Sequence, residues 1–170
     1  NFAHTSLSIS EDIRQSEAAG KNEVDVNIDT TDNKVTGVQL EVSFDPLVLQ
    51  NVDIINGDFL TDPVVIQKTI DQANGTITYV LGAPIGGSGI QGTGTVAVIS
   101  FTKAGNAETT IGFLPQTLVT AEGQDESVLK ETAGASISTL PTGASSLNSA
   151  SPAGSNNLFK VTEGFFGKSI

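Results

Sequence analysis

Few side chains in this sequence can do covalent chemistry, and their positions limit which chemistry is open to it. The only histidine is His4, ahead of the first strand-like segment. A Ser-His-Asp relay or a histidine-bearing metal centre would have to be built around that residue, where chains are seldom held rigidly. A solvent-exposed His4 is the expectation. Cysteine is absent, which removes thiol nucleophiles, Cys-ligated zinc and a disulfide framework. The 19 carboxylates leave a glycosidase-type pair formally open, since that chemistry needs only two of them across a cleft. Sugar-handling clefts, however, stack rings on large amphipathic aromatic faces. The chain has no Trp and one tyrosine, Tyr79, whose expected role is half-burial on a strand. Enzymatic activity and carbohydrate binding are both disfavoured.

Calcium is the one ion the composition suits, because hard cations take oxygen ligands. Two loop clusters offer them: Asp29, Asp32 and Asn33, and then Glu122, Asp125 and Glu126. Neither has EF-hand spacing, and Asp, Asn and Gly are also what turns require. No cofactor is required, and Asp29, Asp32, Glu122 and Asp125 are the metal-ligand candidates. The six glycines from Gly82 to Gly94 are not followed by lysine and open no helix, so they form no phosphate loop. They suit a long flexible connection. Asn74-Gly75-Thr76 is a glycosylation sequon, although Asn-Gly is equally a hairpin turn.

The elements that would position any site are strands. Val24, Val26 and Ile28 alternate with Asp25, Asn27 and Asp29, and Val38, Leu40, Val42 and Phe44 alternate with Gln39, Glu41 and Ser43. That period of two sorts apolar and polar side chains onto opposite faces. Leu7 to Ile9, Val48 to Ile55, Val64 to Ile70, Thr76 to Leu81, Val96 to Thr102, Thr109 to Phe113 and Ala135 to Leu140 continue the series. Nine such segments predict an all-β sandwich. The best helical candidate, Glu11 to Ala19, is short and ends at Gly20, so a loop or single turn is expected there. The 170 residues are enough for one domain with a tail.

With 8 basic against 19 acidic residues, the net charge is -11, so nucleic acid and anionic membrane are poor partners. No apolar run approaches the ~20 residues of a membrane span. Methionine is absent, which fits a chain starting at a processing site with its signal peptide removed. Few charges and many turn formers suit an extracellular or cell-surface setting.

One stretch resembles a known family. Gly37 to Leu49, an alternating strand running through Phe44-Asp45-Pro46 into a Val/Leu-rich strand, is similar to the most recognisable piece of a cohesin module. Asn22 to Asp29, Val52 to Asp58 with its Gly-Asp turn, Gly94 to Phe101 and Ala135 to Leu140 follow the family's strand order. The resemblance spans roughly Thr5 to Leu140. It implies a nine-stranded jelly-roll β-sandwich, residues 1–140, on a scaffolding or cell-surface protein. Such a module binds a dockerin, a small helical calcium-loaded partner, through one flat sheet face. By position that face comprises Gln39, Glu41 and Ser43 with Thr76, Thr78 and Val80, flanked by Asp32 and Asn33. A one-residue slip in the hairpin would exchange Val80 for Tyr79.

From Pro141 to Asn157 nearly every residue is Pro, Gly, Ala, Ser, Thr or Asn, the composition of a linker. Leu158 to Ile170 then contains Phe159, Phe165 and Phe166, three of the chain's eight phenylalanines. Phe159 and Val161 alternate with Lys160 and Thr162. Two roles stay open for this segment, in which Leu158, Phe159, Val161, Phe165 and Phe166 would make the contacts. It adds as a strand to another copy, making the chain a self-assembling filament or surface-layer subunit, or it is a spacer. Two function classes therefore stand: a dockerin-binding receptor module and a self-assembling structural subunit.

Overall fold

The computed structural model describes residues 4–15 and 20–138. The linker and the Leu158–Ile170 segment lie outside the described residues. The described chain contains no helix. It has twelve strands: β1 Thr5–Ile9, β2 Arg14–Gln15, β3 Asn22–Asp29, β4 Val35–Phe44, β5 Leu49–Asn56, β6 Val64–Asp71, β7 Thr76–Gly82, β8 Thr93–Lys103, β9 Thr109–Phe113, β10 Leu118–Ala121, β11 Leu129–Ala133 and β12 Ala135–Ile137.

They form two sheets. One runs β11-β1-β3-β8-β5 with β2 on the end of β3; the other runs β12-β9-β4-β7-β6 with β10 also on β4. The pairing is antiparallel except between β1 and β11. The predicted all-β sandwich is present, with three short strands more than its nine. Arg14–Gln15 lies inside the stretch expected to be a loop or turn. Leu129–Ala133 is largely exposed along its length and shows no alternation to find.

The apolar sets that alternate in the sequence are the core. Val24, Val26 and Ile28 of β3 face Val38, Leu40, Val42 and Phe44 of β4 across the sandwich, and all are 7% exposed or less. Ile54, Ile77, Leu81, Ile99, Phe101 and Ile111 belong to it as well. Each fully buried aliphatic or aromatic side chain of this kind contributes about 1.5–3 kcal/mol. In β8 the alternation breaks at Val96 and Ala97, which are both buried, where the register with β3 shifts.

The connection from Gly82 to Gly94 is tied down, contrary to expectation. Val35 and Ile90 exchange backbone hydrogen bonds of 2.8 and 2.9 Å, and Thr30 N–H donates to the Gly92 carbonyl at 3.0 Å. Gln91 Nε2 donates to the Thr31 carbonyl at 3.1 Å. Such pairings satisfy backbone groups a free loop would leave to water.

Candidate functional site

The outer face of the β9-β4-β7-β6 sheet presents a regular grid of side chains. Glu41 stands opposite Thr78 on β7, with Thr69 of β6 next in line; Gln39 stands opposite Val80, then Gln67; Ser43 stands opposite Thr76, then Asp71. Leu118 of β10 extends the Gln39 row and Gly112 of β9 extends the Ser43 row. The opposite set, Ile77, Tyr79 and Leu81, is buried, so the hairpin takes the register that turns Thr76, Thr78 and Val80 outward.

Glu41 is the most tightly positioned of these residues. Its edge of β4 is shared, β10 pairing the first half and β9 the second. Thr117 fills the break. Its buried hydroxyl accepts the Glu41 N–H at 3.1 Å and donates to the Glu41 carbonyl at 2.9 Å. The carboxylate then accepts the Thr78 hydroxyl at 2.7 Å. Gln39 Nε2 donates to the Gln116 carbonyl at 3.0 Å. These side chains are held before any partner arrives.

A fourth row has no side chains in its middle. Gly37 pairs with Gly82, flanked by Thr120 and Val64. A Cβ on Gly37 would meet Thr120 Oγ1 at 2.8 Å, and one on Gly82 would sit 3.8 Å from Ile66 Cδ1. Gly82 itself is buried, with the Thr120 and Ile66 side chains beside the row.

The hairpin closes through Asp71. Its carboxylate accepts the Asn74 N–H at 3.0 Å and Asn74 Nδ2 at 2.8 Å. Chiefly through the Asn74 side chain, these bonds hold the Asp71 carboxyl below the usual aspartate range. Lys68 of β6 reaches across to Asp53 of β5 at 2.9 Å. Burial works against the charge on Asp53, but the Lys68 bond, the Ile54 N–H and the Lys68 and Lys21 charges outweigh it and lower the pKa.

Six of the expected contact residues, Gln39, Glu41, Ser43, Thr76, Thr78 and Val80, thus share one face. Asp32 is exposed in the loop before β4, but Asn33 is corrected. It is only 3% exposed, and its Nδ2 donates to Thr5 Oγ1 at 3.1 Å. A short polar side chain satisfies buried groups at that turn instead of meeting a partner. Tyr79 is likewise fully buried, not half-buried, and burial pushes its phenol up. It offers no platform. His4, expected to be exposed, is half-buried. Gln67, Thr69, Asp71, Leu118 and Thr120 share the face and were not singled out from the sequence. Pairing register alone reveals the first three, and β10 is too short for its period to show.

The acidic loops are engaged locally. Asp29 accepts the Thr31 N–H at 3.0 Å and Asp32 the Thr31 hydroxyl at 3.3 Å, while Glu122 accepts the Gly89 N–H. Among the described residues no three His, Cys, Asp or Glu side chains group to hold a metal.

Strand order, the Phe44-Asp45-Pro46 turn and this sheet face all bear on the family. The family model described as the cohesin domain matches residues 14–138. The chain belongs to the cohesin family. Cohesins are non-catalytic protein–protein interaction domains. No curated protein matches this cohesin. Among solved structures, it is similar to the cohesin of Clostridium thermocellum OlpA, in complex with a dockerin, at 12% identity and a TM-score of 0.63, covering 79% of this chain and 97% of that one. The third cohesin of Acetivibrio cellulolyticus ScaC, in complex with the ScaB dockerin, is 15% identical with a TM-score of 0.62, covering 81% and 99%. A non-cellulosomal cohesin from the archaeon Archaeoglobus fulgidus is 15% identical with a TM-score of 0.61, covering 82% and 93%.

Proposed function

We propose that this cohesin captures a dockerin-like protein on the outer face of β4, β7 and β6, as a non-catalytic assembly module outside the cell. The carrying observation is the prearranged grid centred on Glu41. Its backbone is pinned by Thr117 and its carboxylate is held by Thr78 at 2.7 Å. A flat sheet face with fixed polar groups suits a helical partner, because little ordering entropy is then lost on binding. The solved cohesin–dockerin complexes of similar fold support the class of partner. No cofactor is needed for such capture, and neither nucleic acid nor a sugar fits the acidic, aromatic-poor surface.

The test is calorimetric titration with dockerin modules from the source organism. Glu41→Lys is expected to weaken capture at least tenfold, about 1.4 kcal/mol, and Gln39→Ala by less, with thermal unfolding unchanged. Undiminished capture by both variants would remove this face from consideration.

A further inference from the structure

Strand β6 is the outermost strand of its sheet, and among the described residues it pairs only with β7. Every residue from Val64 to Thr69 is exposed. Three of the exposed large hydrophobics follow one another there: Val64 at 50%, Val65 at 42% and Ile66 at 69%. The register shift between Val65 and Gln67 leaves Ile66 as the extra residue. Edge strands are normally blunted by charge, proline, bulges or inward-pointing charges, and β6 carries one such bulge, itself apolar and exposed, at Ile66. Here the only charge from Val64 to Ile70 is Lys68, and Asp53 takes it. The result is a neutral, β-branched, open edge on a chain of net charge -11, suited to an added strand.

The sequence itself contains a segment whose residue pattern matches. Leu158-Phe-Lys-Val-Thr162 alternates apolar with polar residues, and Lys160 and Lys168 against Glu163 make Leu158–Ile170 net positive. It is thus complementary in charge to the acidic remainder of the chain. The residues from Pro141 to Asn157 carry no charge and reach up to about 55 Å when extended. That exceeds the diameter of roughly 37 Å expected for a compact domain of this size.

We propose that the Leu158–Ile170 segment of one copy adds as a strand to the β6 edge of a second copy, with Phe159 and Val161 covering Val64 and Ile66. Donor and acceptor are different surfaces, so the contact is head-to-tail and builds an open chain of molecules. The junction uses the edge of the sheet and borders the face proposed for dockerin capture, because Val64 ends the Gly37–Gly82 row.

Light scattering and sedimentation of the full chain test this. The mass is expected to rise with concentration beyond a dimer. Ile66→Lys, at an exposed position, places like charge opposite Lys160 and is expected to return the chain to monomer without altering thermal unfolding. Val161→Asp is expected to do the same from the donor side. Mixing the two variants joins one intact segment to one intact edge, and should give a complex that stops at two copies. A full chain that stays monomeric overturns the proposal, as does assembly that survives Ile66→Lys. Assembly abolished by Ile66→Lys but untouched by Val161→Asp would mean that edge meets edge, and also overturns it.

Discussion

Glu41 and Asn33 are both polar residues on or beside β4, and their opposite roles follow from what each hydrogen-bonds. Glu41 turns its carboxylate to the open face and takes one bond from Thr78, leaving acceptor capacity for a partner. Asn33 spends its amide on Thr5 and Thr30 inside the fold. Asn33→Ala is therefore expected to cost about 1–3 kcal/mol in chemical denaturation, with dockerin capture unchanged; Glu41→Lys should do the reverse. The Lys68–Asp53 pair makes a separate expectation. The folded-state pKa of Asp53 is depressed, so its contribution is present above the unfolded aspartate pKa, about 3.9, and fades as pH falls through the lower folded value. Both partners are substantially exposed, 39% and 50%, which limits the pair to about 1 kcal/mol or less. Denaturation of Lys68→Ala across acidic pH should show its deficit at neutral pH shrinking as Asp53 protonates.

The β6–β7 hairpin is the element on which the face depends, and its turn is its most constrained part. Residues 72–75 form a four-residue loop in which Gly75 N–H donates to the Asp71 carbonyl at 2.8 Å. Gly75 has φ of 74°, and a Cβ there would lie 2.1 Å from the Phe44 carbonyl oxygen. Gly75→Ala is expected to destabilise by about 1–3 kcal/mol, from left-handed strain together with the clash, and a lowered thermal midpoint would show it. Asn74-Gly75 marked this hairpin in the sequence, and alternation placed Thr76, Thr78 and Val80 outward. The same alternation made β3, β4 and β8 legible, because each has one face in the core. It could not reveal the outward row of β6, whose Val64-Val65-Ile66 run follows no period at an open edge. Nor could it reveal β10 and β11, whose pairing depends on long-range contacts. Asn33 misled because polar residues beside a strand look alike whether they meet solvent or fill a buried turn.

At the scale of the whole molecule, the two outer faces differ in how far their charges are already satisfied. The sheet containing β1, β3 and β8 presents Glu23, Asp25, Asn27 and Asp29. Arg14 of β2 bridges Glu23 at 3.2 Å and Asp25 at 2.8 Å, so its charges are partly paired within the chain. The β9-β4-β7-β6 face presents hydroxyls and amides with Glu41, Asp71, Val80 and Leu118, and no salt bridge crosses it among the described residues. Capture is proposed for the second face. Chemical-shift mapping of the isotope-labelled chain, titrated with dockerins from its source organism, tests this most directly. The expected perturbations cluster on Gln39, Glu41, Ser43, Thr76, Thr78, Val80 and the Gly37–Gly82 row. Perturbations centred on β1, β3 and β8, or none with any dockerin, would contradict it.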